Sequence, residues 1–173
     1  MEMVNPRILW DNFNKISNKL PTPGVIGVCG NKNEKENLIT LSWMNFGYFW
    51  NQLTLTILVR PSRYSHNLIK NSGCFTINVL EKEYFDKIAF CGKHSGSYCD
   101  KFEETKLTKI KSKVIPVSSI KESSMILECK VVFTNEVEPE NLNDLYIAKY
   151  YTKADYHTMF TANIVNISIG QNR

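Results

Sequence analysis

No run of this sequence approaches the ~18 apolar residues that a membrane-spanning helix requires, so no membrane partner is expected. There is no internal repeat and no linker rich in Pro, Gly or Ser. Eight Gly and six Pro among 173 residues are too few for a collagen-like or low-complexity chain. A charge excess of one sign is also lacking. The 21 Lys and Arg against 17 Asp and Glu leave a net charge of +4, with both signs mixed along the chain. That falls short of the one-faced basic footprint of a nucleic-acid binder, so none is expected as partner. The densest basic stretch, KLTKIKSK at 106–113, reads as a solvated face or loop. The opening MEMVNPRILWDNF lacks the apolar core and small-residue cleavage site of a signal peptide. Five cysteines, at 29, 74, 91, 99 and 129, are odd in number and scattered, as expected of reduced thiols in the cytoplasm.

Several chemical signatures are missing as well. There is no G-x-S-x-G elbow, no G-x-x-x-x-G-K-[ST] loop and no G-x-G-x-x-G turn. A nicotinamide cofactor would therefore have to bind transiently, without a dinucleotide-binding domain. Cys91, His94 and Cys99 are spaced C-x2-H-x4-C, which matches no common zinc pattern and lacks a fourth ligand, so no metal is expected. No Cys-His-Asn arrangement is readable, and Cys29, Cys74 and Cys129 lie in strand patterns as small core residues.

What is present is ordinary globular material: 20.0 kDa, 43% hydrophobic and 12% aromatic residues. That is enough for one domain, 1–173, without disulfide or metal staples. Short alternating segments predict strands at 24–30, 38–44, 53–59, 74–80, 125–133, 145–151 and 158–169. NKNEKEN at 31–37 reads as the polar turn of a hairpin. Leu53, Leu55, Ile57 and Val59 share one face, as do Phe75, Ile77 and Val79. Helices are predicted at 63–71, with Gly73 as the stop, and at 82–90. With no βαβ rhythm, this pattern predicts an all-β, β-rich α+β fold: an antiparallel, Greek-key-like barrel with helical decoration.

Two segments carry chemistry. In VRPSRYSHNLI, 59–69, Pro61 ends a strand, Ser62 stands at the N-cap position and Ser65 falls in the first helical turn. Orphan backbone N–H groups, two hydroxyls and the guanidinium groups of Arg60 and Arg63 suit a phosphate. A capped helix with solvated arginines accounts for the segment equally well. In CGKHSGSYCDKF, 91–102, two glycines and two serines make a loop able to approach a ligand closely, and Lys101 offers a positive charge. A bland surface loop is the alternative. Asn37, Trp43 and Asn78 lie near strand ends, and Asn78 faces away from Ile77 and Val79. His157 precedes a strand, where a hydrogen-bonded structural histidine is the default.

Taken in series, these segments resemble the flavin reductase-like family, the FMN-binding split barrels that include flavoredoxin. The matching pieces are ENLITLSWM at 36–44, LVRPSRYSHNLIKNSGCFTINVL at 58–80, FCGKHSGSYCDKF at 90–102, ILECKV at 126–131 and YHTMFTANIVNI at 156–167. The resemblance implies a homodimer with FMN near the interface. It places Asn37 and Trp43 beside the isoalloxazine or ribityl chain and Ser62, Arg63 and Ser65 at the phosphate. Lys101 and His157 complete the site, with Asn78, Ser95 and Gly96 as further contacts. The chemistry would sit on flavin N5, so no catalytic side chain is assigned. NADH or NADPH would be the transient reductant of a flavin reductase. The alternative is a flavoredoxin-like electron carrier serving a redox partner protein. This chain departs from the family where Ala162-Asn163 replaces a common Gly-Glu, in the long stretch before His157, and in stopping at Gln171-Asn172-Arg173.

Overall fold

The computed structural model describes residues 4–31 and 34–170, without the side chains of residues 31 and 34. Two short helices, α1 (Pro6–Trp10) and α2 (Phe13–Ser17), lead into β1 (Val25–Asn31), β2 (Glu34–Leu41), β3 (Met44–Phe49) and β4 (Gln52–Val59). Then come α3 (Tyr64–Ser72), β5 (Cys74–Val79), α4 (Phe85–Lys93), α5 (Lys101–Thr105), β6 (Lys109–Ile110) and β7 (Ser119–Ile120). The chain closes with β8 (Met125–Glu136), α6 (Asp144–Tyr150) and β9 (Thr158–Ile169).

Seven strands form one antiparallel sheet in the order β2-β1-β5-β8-β9-β4-β3. Its edge strands, β2 and β3, are consecutive in the chain, with only Ser42 and Trp43 between them. Laid flat, seven strands would hold those edges about 29 Å apart, at about 4.8 Å per strand. Three Cα steps reach about 11 Å at most. The sheet must therefore curl to bring its edges together at this corner, and Leu58 N donates to the Trp43 carbonyl at 3.3 Å, carrying the β3–β4 pairing into it. No ladder joins β2 to β3 among the described residues, so the barrel stays split along this seam.

The alternation in the sequence sorts the two faces. Leu53, Leu55, Ile57, Val59, Phe75, Ile77 and Val79 fill the barrel, with Leu9 and Ile16 from the leading helices. Ile26, Val28 and Leu38 point outward, to a second core under Ile88, Phe102 and Val117. β5 is buried on both faces for this reason. The Glu128 carboxylate holds the loop after β6, accepting from the N–H groups of Lys113, Val114 and Ile115. Gly73 ends α3 at φ 62, the left-handed conformation that glycine adopts without strain.

Two predicted elements differ, and β3, like the short helices α1, α2 and α5, is additional to the predicted set. Residues 145–151 are not a strand: most of them form α6, which Asn143 caps by accepting from Leu145 N. A strand unforeseen from the sequence, β3, pairs with β4 through a turn at Trp50 and Asn51. The 31–37 turn is shorter than expected, since residue 31 already pairs with residue 34 and β2 takes up the rest; residues 32 and 33 lie outside the described residues.

Candidate functional site

A cleft of about 280 Å³ opens at the seam, where the ends of β2 and β4 meet the start of α3 and the loop after α4. The corner places Trp43 on its rim, and Pro61 releases the chain from β4 into the α3 turn. Nine of the ten residues that the family resemblance assigns to FMN line this cleft: Asn37, Trp43, Ser62, Arg63, Ser65, Ser95, Gly96, Lys101 and His157.

One wall is a buried hydrogen-bonded network. Lys101, 5% exposed, begins α5, with Asp100 capping that helix through the N–H groups of Phe102 and Glu103. Its ammonium donates to the carbonyls of Leu38 and Cys91, both at 2.8 Å. The Cys91 carbonyl lies in the last turn of α4, where the helix dipole favours a cation. Burial pushes the Lys101 pKa below the usual lysine value. Asn37 donates from Nδ2 to the Ser65 hydroxyl at 2.8 Å, tying β2 to the first turn of α3. The loop after α4 presses on this pair so closely that a Cβ at residue 96 would overlap the Asn37 amide. Burial also raises the thiols of Cys29, to about 12, and of Cys91, to about 11, so both stay protonated and unreactive.

The other wall is aromatic. Trp43, 41% exposed, meets Tyr150 edge-on, with ring centres 5.1 Å apart, and His157 at 5.0 Å. Behind them the Tyr151 hydroxyl lies 2.8 Å from Nδ1 of His157. Burial, then the guanidinium of Arg60, push the His157 pKa down to about 4. The imidazole is therefore neutral at physiological pH. Arg63 stands at the N-cap position of α3 without a side-chain cap bond, is exposed, lines the cleft and forms no ion pair among the described residues.

Two expectations need correction and one residue falls elsewhere. Arg60 does not share the phosphate role suggested by VRPSR. Its guanidinium donates to the carbonyls of Asp155 and Tyr150 at 2.6 and 2.7 Å and lies 3.9 Å from the Asp155 carboxylate. Ser62 is not the N-cap of α3; its hydroxyl donates to the Asp155 carboxylate instead. Asn78 is fully buried away from the cleft. Its amide donates to Ile26 O and Thr76 Oγ1, and its oxygen accepts from Ile120 N and Ser123 Oγ. It joins β5 to β7, and no side of it is left for a ligand. Sequence reasoning missed Tyr150, Tyr151 and Asp155, which hold the cleft residues Trp43, His157 and Ser62 from behind. Asn143 before Asp144, a helix cap signal, is what could have found the helix that ends at Tyr150.

The sequence model described as "Flavin reductase like domain" matches residues 17–173. An uncharacterized protein of Archaeoglobus fulgidus is 34% identical over 137 residues, 79% of this chain and 67% of that one. Among solved structures, flavoredoxin of Desulfovibrio vulgaris has a TM-score of 0.68 at 19% identity, over 87% of this chain and 70% of its own. The FMN-binding protein of Thermus thermophilus with bound 1-cyclohex-2-enone has a TM-score of 0.63 at 19% identity, over 85% and 71%. These likenesses establish the split-barrel fold.

Proposed function

Because this chain belongs to the flavin reductase-like domain family, we propose that it is an FMN-binding oxidoreductase reduced by NADH or NADPH. FMN carries a dianionic phosphate at one end and a flat, largely apolar ring at the other. The observation that carries the reading is the meeting of three features on one cleft: Arg63 at a helix start, without an ion-pair partner among the described residues, the Trp43 ring and the buried Lys101 cation. Those residue types suit the two ends of FMN.

In this reading Arg63 and the α3 N-terminus bind the phosphate, helped by the Ser62 oxygen, which remains free to accept or to be repositioned. Trp43 orients the ring. Lys101 spends two of its protons on carbonyls and keeps one, with its charge, for the cleft. Asn37, Ser65, Ser95 and Gly96 form the floor that sets how deep the cofactor lies. His157 supplies a neutral polar edge. Bound FMN supplies acceptance of a hydride and onward delivery of electrons. We assign no side chain as proton-transfer catalyst. The proposed assembly is a cytoplasmic homodimer, and the exposed Tyr48, Phe49, Trp50 and Phe133 give it an apolar surface to bury.

The test is titration of the purified protein with FMN, followed by flavin absorbance and fluorescence. Arg63→Ala is expected to weaken binding by about tenfold or more, since a charge-assisted bond contributes about 1.5–3 kcal/mol. An unchanged affinity refutes the phosphate assignment. Anaerobic mixing of the FMN-loaded protein with NADH and NADPH is expected to bleach the flavin. Bleaching by neither nucleotide leaves an electron carrier that exchanges with a partner protein.

A further inference from the structure

The segment between β8 and β9 brings His157 to the cleft, with Tyr150 packed against Trp43 and Tyr151 packed against His157. Tyr151 is 6% exposed, stacks on Tyr156 at 4.8 Å and lies beneath the Arg60 guanidinium. Its hydroxyl is 2.8 Å from His157 Nδ1. Burial raises the Tyr151 pKa, so the phenol keeps its proton. Nδ1 is the hydroxyl's only hydrogen-bond partner among the described residues, so donation to Nδ1 is the one arrangement that satisfies the buried phenol proton. A neutral imidazole that accepts at Nδ1 carries its own proton on Nε2. Nε2 has no protein partner among the described residues and is not sealed from the cleft that His157 lines.

We propose that Tyr151 is a positioning residue whose hydroxyl fixes His157 as the uncharged Nε2–H form, so that the ring presents one N–H donor to the cleft. The ligand it serves is one with a hydrogen-bond acceptor, a ring nitrogen or carbonyl oxygen, at that edge. This last clause rests on the FMN reading; the tautomer does not. The charged groups facing His157 agree with a donor that is not a cation. Arg60, at the end of β4, and Arg63, at the head of α3, oppose protonation, while Asp155 favours it. Lys101 lines the same cleft as a further cation, and Trp43 and Tyr151 flank the ring without charge. Arg60 contributes twice, since its bonds to the Tyr150 and Asp155 carbonyls brace both ends of the segment that carries Tyr151.

The test is long-range 1H–15N correlation NMR on the 15N-labelled full chain between pH 5 and 8, with the His157 signals assigned by their loss in His157→Gln. The expected spectrum is a neutral Nε2–H imidazole throughout that range. In Tyr151→Phe the ring is expected to become a mixture of tautomers, with its titration midpoint moved up toward the ordinary value of about 6.5. FMN affinity is expected to fall by about threefold to tenfold, as for one neutral hydrogen bond. An Nδ1–H form in the wild type, or charging of the wild-type ring near pH 6, overturns the proposal, whether or not the variant folds. An unchanged tautomer in the variant also overturns it. A changed tautomer with unchanged FMN affinity removes the ligand-facing role. Failure of the wild type to bind FMN sinks the FMN reading and leaves the tautomer assignment intact.

Discussion

The two walls of the cleft are built on different physics. On the Lys101 side, a buried ammonium bonded to two carbonyls and a packed amide bonded to a hydroxyl tie β2, α3 and α4 together. On the Trp43 side, aromatic edges lean on one another and a single guanidinium, Arg60, ties their segment down by two carbonyls. The first wall is part of the barrel's stability. The second is an attachment whose ordering is local. A site built this way can keep its charged floor fixed while its aromatic rim varies.

Lys101→Met breaks the first wall most severely. It leaves the Leu38 and Cys91 carbonyls without their donor, an expected loss of roughly 3 kcal/mol. In a chain of this size that lowers the melting temperature by about 6–12 °C in thermal unfolding followed by circular dichroism. A shift within about 2 °C would show the network to be decorative. Gly96→Ala is the next largest. The added methyl must displace the Asn37 amide, breaking its bond to Ser65. Overpacking of this kind costs about 1–3 kcal/mol. FMN affinity should fall with stability, and a fall in neither would mean that the loop yields instead. Arg60→Ala has the smallest expected effect on global stability, about 1 kcal/mol. Limited proteolysis between residues 138 and 156 should nonetheless become several-fold faster. Equal loss of global stability for Arg60→Ala and Lys101→Met would erase the contrast between the walls.

The same contrast explains what the sequence discloses. The first wall is made of local signals: Pro61 ends a strand, Gly73 ends a helix, and CGKHSGSYCDKF has the glycines that close packing demands. The core faces of β4 and β5 follow from strict alternation. The second wall depends on what distant residues do to each other. LYIAKYY alternates well enough to suggest a strand, yet Asn143 caps it into a helix. Arg60 and Arg63 look alike in VRPSR; only the arrival of Tyr150 and Asp155, about ninety residues on, takes one and leaves the other. β3 escaped notice because its turn holds Trp50 and Asn51 at φ 51 and 57, without the Asn-Gly or Asp-Gly pair that signals such hairpins. Asn78 misled for a related reason. Its outward orientation was legible, but the loop that receives it was not.

The two-residue bridge from Leu41 to Met44 acts as a gauge. The gap between the barrel's lips is set by covalent chain rather than by a ladder that can slip, so each added residue there would pay out slack to the mouth and carry the indole away from the lysine opposite. Selection on the mouth's width can therefore act through the count of residues at one corner, leaving the remaining strands untouched.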